Sequence, residues 1–446
     1  MSLHNFASYR SGTFSTDISN LTVADRFFEQ KDMPAFIHEY CHYIQDITTI
    51  SSIFGFSLWM RDVVAMTQIF STGQGKTISI PLDRDKYGET INKNRKYYNL
   101  YCGDPNEVYE LDYSNLKFSK RCFVIENINL DGKTQKLAVN ELELLNHHRK
   151  IFFGLIVLQE IQAYYAQKLA EEKLPDVKLS IYSDKLPSFP YKFGDFLFSE
   201  FQIEIDLKSK LILIDLCLDT VQATSVFLEV LEIIKGQKVT CFGPDRTDFV
   251  FIVNQATEKC SFSTETALEN ILPDLKIWAK GDGRKYLTEA LSWYVNQVEL
   301  VYNFKKLTSP TFFSMAFCMH WPDFAMFFQC FPSPIYINNG VLMRTVSMDS
   351  EAEDKRFIKN FEAASTIWSH KILYDLLCSE SLEQITERSL CPLYENCHIR
   401  SEIGQDYICK MTPWEIIKNE QKIICQYGMA SHSFGLWQNV LNIKTD

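Results

Sequence analysis

Residues 38–42 read His38-Glu39-Tyr40-Cys41-His42, a spacing with a chemical use. Four residues are close to one helical turn, so the two imidazoles share a face. Each can then bring a nitrogen to about 2 Å from a single zinc ion. Glu39 lies beside that face, within reach of the water that zinc activates rather than of the ion. A carboxylate placed there can take the water's proton as its oxygen attacks a carbonyl. Two histidines alone do not complete such a site, because a catalytic zinc holds three protein ligands and one open position.

A further histidine just after the motif is ruled out, since positions 45 and 48 are Gln45 and Thr48. That leaves a glutamate on another helix. The segment "IFFGLIVLQEIQAYYAQ", residues 151–167, has one charged residue in seventeen, Glu160. A lone carboxylate in an apolar helix costs several kcal/mol unless it is paired or bound to metal. Gly154 and Ala163 are small and would let this helix approach the first closely. Glu289 in "YLTEALSWYVNQ" is the competing choice. Thr288 before it has the character of an N-cap, and a glutamate in a first helical turn is favoured by the helix dipole alone. Glu160 has no such ordinary explanation, and it is the preferred third ligand.

The elements that must position these residues follow from periodicity. Residues 32–70 read as helix, with Asp32 as N-cap and Pro34 in the first turn, where proline is tolerated. His38 and His42 share a stripe with Gln45 and Thr49, opposite Ile37, Tyr40, Ile44 and Ile47. Residues 75–140 look β-rich, closing in a hairpin that turns at Asp131-Gly132. A helix is expected from about 141 to 173, with His147 and His148 on its exposed face. After a proline-rich loop come a strand near 197–206 and a helix near 208–235. "KVTCFGPD" and "DFVFIVNQ" read as further strands, and the pattern is mainly helical from Thr264 onward.

Bulk properties narrow the function classes. A chain of 446 residues with 46% hydrophobic, 14% aromatic and 23% charged content has the composition of a globular protein with a large core. A formal charge of −11 argues against nucleic acid as a partner, because phosphate contacts need surplus Lys and Arg. The polar start "MSLHNFASYRSGTFSTDISN" lacks the apolar run of a secretory signal, and no stretch reads as a membrane span. The 13 cysteines, an odd number without framework spacing, suit free thiols and a cytoplasmic location. Cys391, Cys397 and Cys409, with Cys378, His398 or Cys425, lack the spacing of a tight zinc knuckle and read as scattered thiols.

His38-Glu39-x-x-His42 followed by a helix with Glu160-x-x-Ala163 resembles the gluzincin group of zinc metallopeptidases. "FFGLIVLQEIQAYYA" is similar to the glycine-rich lead-in and Glu-x-x-Ala core of uncharacterised bacterial members. The resemblance covers residues 32–49 and 150–170. It implies a zincin-like core with one catalytic zinc on His38, His42 and Glu160, and Glu39 as general base. Thermolysin-like members carry an aspartate four residues after the glutamate ligand, where this chain has Tyr164, so Asp46 is expected to orient a histidine instead. By analogy with zincins, an edge of the β-rich insertion would hold the substrate backbone. Tyr164, Tyr165, Tyr294 and His320 remain open as the group that stabilises an oxyanion.

Together these readings describe an α+β, mainly helical chain. Its regions are a zincin-like catalytic part over 1–175 with the insertion at 75–140, a helical part over 176–370, and a cysteine-containing part over 371–446. The expected activity is zinc-dependent hydrolysis of a peptide bond in a protein or peptide substrate, with no nucleic acid and no membrane as partner. The same residues also allow a non-enzymatic interaction protein on a zincin-like scaffold, or a zinc hydrolase of a non-peptide bond.

Overall fold

The computed structural model describes residues 7–10, 12–24, 27–72, 75–80, 82, 95–103, 108–130, 133–144, 149–173, 186–237, 247–260, 267–281, 285–339, 341–344, 355–379, 381, 383–384, 391, 394, 406–416 and 425–443. The fold is mainly helical, with small sheets.

The expected helix over 32–70 is two helices, α1 (Met33–Thr48) and α2 (Ile50–Ser71). The break is Thr49, whose backbone is extended and whose side chain accepts the N–H of Ser52 to cap α2. Pro34 lies in the first turn of α1 as expected, but Asp32 does not cap that helix. Its carboxylate instead accepts the N–H of Thr22 at 2.8 Å, fastening the preceding loop to the start of α1.

Before α1 come β1 (Ser8–Arg10), β2 (Ser15–Asp17) and the two-residue pair β3 (Val23–Ala24) and β4 (Phe27–Phe28). After α2 come β5 (Thr77–Ile80) and a short helix α3 at residues 95–102. The long hairpin follows as β6 (Phe118–Leu130) and β7 (Lys133–Leu144), and β8 (Arg149–Phe152) adds a third strand to it. Leu130 pairs with Lys133. That register leaves room only for a two-residue connection; Asp131 and Gly132 themselves lie outside the described residues. The helix expected from 141 begins only at Leu155, as α4 (Leu155–Glu171), because β7 and β8 run first. His147 and His148 lie outside the described residues.

Two further strand expectations are corrected. Residues 197–200 end the helix Phe193–Glu200 and 201–206 follow it as a turn and an extended stretch in no sheet, while "DFVFIVNQ" falls within the helix Thr247–Lys259. In the first, Phe201 and Ile203 are buried between exposed Gln202 and Glu204, the alternation of a strand without a partner strand. In the second, Phe249, Ile252 and Val253 are buried while Asp248, Phe251 and Asn254 are exposed, a helical period too short in sequence to separate from a strand by composition. "KVTCFGPD" lies outside the described residues. The helix expected over 208–235 is a pair, Leu207–Leu218 and Ala223–Gln237.

The chain then returns to the first sheet: β9 (Ile335–Asn338) pairs parallel with β2, and β10 (Val341–Met343) completes the order β1-β2-β9-β10. β11 (Val440–Ile443) pairs parallel with β5. One buried apolar cluster runs from Phe14 to Leu441. At its centre α1 packs along α4, and the helix Lys285–Leu307 closes over α1. Lys305 ties these layers: its buried ammonium donates to the Thr48 carbonyl at 2.9 Å and to both Asp219 oxygens at 2.9 and 2.8 Å. Among the described residues no helix is long and apolar enough to cross a membrane.

Candidate metal centre

The packing of α1 on α4 brings Glu160 to both histidines of the motif. Glu160 Oε2 is 3.2 Å from His38 Nε2 and 3.4 Å from His42 Nε2. Each of the three residues offers one donor atom, and these atoms all lie within 4.8 Å of one another. Donors on a tetrahedron about 2 Å from its centre stand about 3.3 Å apart, so both histidine-to-carboxylate separations suit a zinc-sized ion. The two imidazoles meet edge to face, 5.1 Å apart and inclined at 75°.

The surroundings of His42 settle which of its nitrogens faces Glu160. Gln45 Nε2 donates to the Gln159 carbonyl at 3.0 Å and to Gln162 Oε1 at 2.7 Å. A carbonyl can only accept, so the Gln45 amide is fixed with Oε1 toward His42, 2.8 Å from Nδ1. Nδ1 must therefore donate. His42 Nε2 then turns a lone pair toward a carboxylate oxygen, which is repulsive unless a cation, a proton or a metal ion, lies between them. Gln162 continues the chain through Nε2 to Asp215 Oδ1 at 3.3 Å. The orienting partner of His42 is thus Gln45 and not Asp46, which was the expectation. Asp46 instead accepts the Tyr9 hydroxyl at 2.9 Å and the Gly12 N–H at 2.7 Å. The Nδ1 of His38 is buried with no hydrogen-bond partner among the described residues.

The electrostatics describe the same cation-seeking pocket. Burial works against a charged His42, but the Glu160 carboxylate outweighs it and raises the imidazole to about 9. Burial likewise pushes Glu160 upward, and His42 and His38 override it to hold the carboxyl well below its usual range. Glu39 behaves differently. Burial raises it, and the two histidines and the backbone N–H of Tyr9 offset that only in part. Glu39 is outside the three-residue group, so a carboxylate suited to take a proton stands beside the donors rather than among them.

Two aromatic residues frame the histidines, and neither was singled out by sequence pattern. Tyr9 of β1 stacks on His42, centroids 6.1 Å apart and planes 19° from parallel. Tyr191 lies against His38 at 5.6 Å. Burial, then Glu160 and Glu39, hold its phenol well above the ordinary tyrosine range, so it stays a proton donor. Its loop is pinned to a distant segment. Tyr109 and Phe189 exchange backbone hydrogen bonds at 3.3 and 3.0 Å, and the Tyr113 hydroxyl donates to the Ser188 carbonyl at 2.7 Å.

The other expected participants lie elsewhere. Glu289 is exposed on the helix Lys285–Leu307 and outside the donor group. Thr288 is inside that helix and donates its hydroxyl to the Gly281 carbonyl rather than capping the start. The Tyr165 hydroxyl donates to Asp195, the Tyr294 hydroxyl to the Asp46 carbonyl, and Tyr164 is buried beneath Lys168. His320 is exposed ahead of the helix Trp321–Cys330. The strands packed on α1 are β1 and β2, while β7 of the insertion packs on the helix Ala223–Gln237. Of the C-terminal cysteines, Cys425 Sγ accepts the Gly428 N–H at 3.3 Å as a helix cap. Cys378, Cys391, Cys409 and Cys425 are in no disulfide, and Cys397 and His398 lie outside the described residues. No protein family, curated protein or solved structure matches this chain.

Proposed function

We propose that this chain is a zinc-dependent metallohydrolase of the gluzincin type that cleaves peptide bonds, working in the cytoplasm on a protein or peptide substrate. The observation that supports it most is the meeting of His38, His42 and Glu160, with 118 positions between His42 and Glu160 in sequence and with Glu39 beside them and outside the donor set. His38 and His42 through Nε2, and Glu160 through Oε2, would hold the ion. Zinc bound there would supply Lewis-acid activation of water and of the substrate carbonyl.

The chain's own residues account for the remaining steps. Glu39, raised by burial, accepts the proton of the attacking water on its carboxylate and passes it to the departing nitrogen. Tyr191, kept protonated, donates a hydrogen bond to the oxygen on which negative charge develops. Gln45 holds His42 in the tautomer that presents Nε2. Protein purified without chelator is expected to carry about one zinc per chain. Elemental analysis showing none, together with a melting temperature indifferent to added zinc, would overturn this reading.

A further inference from the structure

Tyr9 touches two parts of the proposed centre from a strand that supplies no ligand. Its ring stacks on His42, and its hydroxyl donates to Asp46 Oδ2 at 2.9 Å. Asp46 sits one helical turn beyond His42 on α1. The Gly12 N–H reaches the same Asp46 oxygen at 2.7 Å, so the turn after β1 is tied to the same carboxylate as the tyrosine. Tyr9 is the middle residue of β1, which is the outer strand in the order β1-β2-β9-β10 and pairs Tyr9 with Thr16 of β2.

These contacts supply what the ligand helix lacks by itself. Gln45 fixes the rotation of the His42 ring through Nδ1, but one hydrogen bond leaves the ring free to tilt about it. An aromatic face laid against the imidazole closes that freedom. Ligand nitrogens must be held to about half an ångström for a site to bind its metal well. We propose that Tyr9 is a positioning residue of the centre: its ring, stacked on the His42 imidazole, holds it at the angle metal binding needs. The inference rests on the metal reading above.

The test is cobalt titration of the full-length metal-free chain, following the visible absorption bands and the dissociation constant for wild type, Tyr9→Ala and Tyr9→Phe. Tyr9→Ala should bind Co2+ roughly ten- to a hundredfold more weakly, with shifted bands, as supporting contacts to ligands commonly do when removed. Tyr9→Phe keeps the ring and should recover the wild-type bands and most of the affinity. A Tyr9→Ala protein that melts cooperatively and shows wild-type bands and affinity overturns the positioning role while leaving the metal reading intact. A Tyr9→Phe variant as impaired as Tyr9→Ala also overturns it, because the ring alone would then hold nothing. Wild type that takes up no cobalt overturns the metal reading, and the role of Tyr9 with it.

Discussion

Glu39, Glu160 and Gln45 do different jobs around the same two histidines, so their removal should separate in kind. Glu39→Gln keeps the donor group intact and removes only the proton acceptor, so zinc content and melting temperature should hold while hydrolysis is lost. Glu160→Ala deletes a donor and should lower zinc affinity and activity together. Gln45→Ala strips His42 of the acceptor that sets its tautomer, and should weaken zinc binding about ten- to a hundredfold without abolishing it. Metal analysis beside a peptidase assay distinguishes the three. Full hydrolysis by Glu39→Gln would sink the role of base. That His38, His42 and Glu160 would meet was legible in sequence because charge in an apolar helix and a four-residue histidine spacing are local signals. Tyr9 and Tyr191 were not, since a short edge strand and a loop carry no periodicity and their contacts close over long sequence distances. Asp46, a carboxylate one helical turn past His42, was the expected partner. A glutamine serves here because a backbone carbonyl fixes its direction.

Among the elements, the approach of α4 to its neighbours depends on small residues, though not all where the sequence suggested. Ala163 is fully buried, but Gly154 packs against the backbone at Cys102, where an added Cβ would stand 2.6 Å from the carbonyl oxygen, and not against α1. The glycine that lets the helix Phe193–Glu200 sit on α4 is Gly194, whose added Cβ would run into Ile161 and the Tyr165 hydroxyl. Gly194→Ala should therefore destabilise by about 1–3 kcal/mol, as overpacking does, and disturb the loop that presents Tyr191. Gly236 is the control, a helical glycine with nothing within 4 Å of its added Cβ. Gly236→Ala should be neutral or stabilising by up to about 1 kcal/mol. Denaturation midpoints that move alike for the two variants would contradict this account of the packing. The order of helices around α4 was only partly legible. Residues 201–206 alternate buried and exposed without joining a sheet, and the short apolar run at 249–253 holds too few turns for its helical period to separate it from a strand.

Across the whole molecule, the C-terminal half holds α1 in place, and part of that hold depends on pH. Lys305 fixes the end of α1, and the helix Lys355–Leu377 packs on Lys285–Leu307, which bears Lys305, and on the helix Gln426–Ser433. His370, fully buried in Lys355–Leu377 beside Phe434, donates from Nδ1 to the Thr366 carbonyl at 2.7 Å, while its Nε2 has no partner among the described residues. Burial lowers it to about 4, so the folded chain keeps this imidazole neutral where an unfolded chain would protonate it near 6.5. The stability this contributes is complete above about pH 6.5 and is lost as pH falls toward 4, by up to about 1.4 kcal/mol per unit. Asp219, raised by burial against the pull of Lys305, titrates with the opposite sign in part of that window, so wild type alone is a poor gauge. His370→Phe removes only the histidine's share. Urea midpoints of wild type and His370→Phe should diverge between pH 6.5 and 4, with wild type falling faster, and run parallel above pH 7. Parallel curves throughout would mean that His370 takes up its proton in the folded chain, and that the helix carrying it opens to water under mild acid.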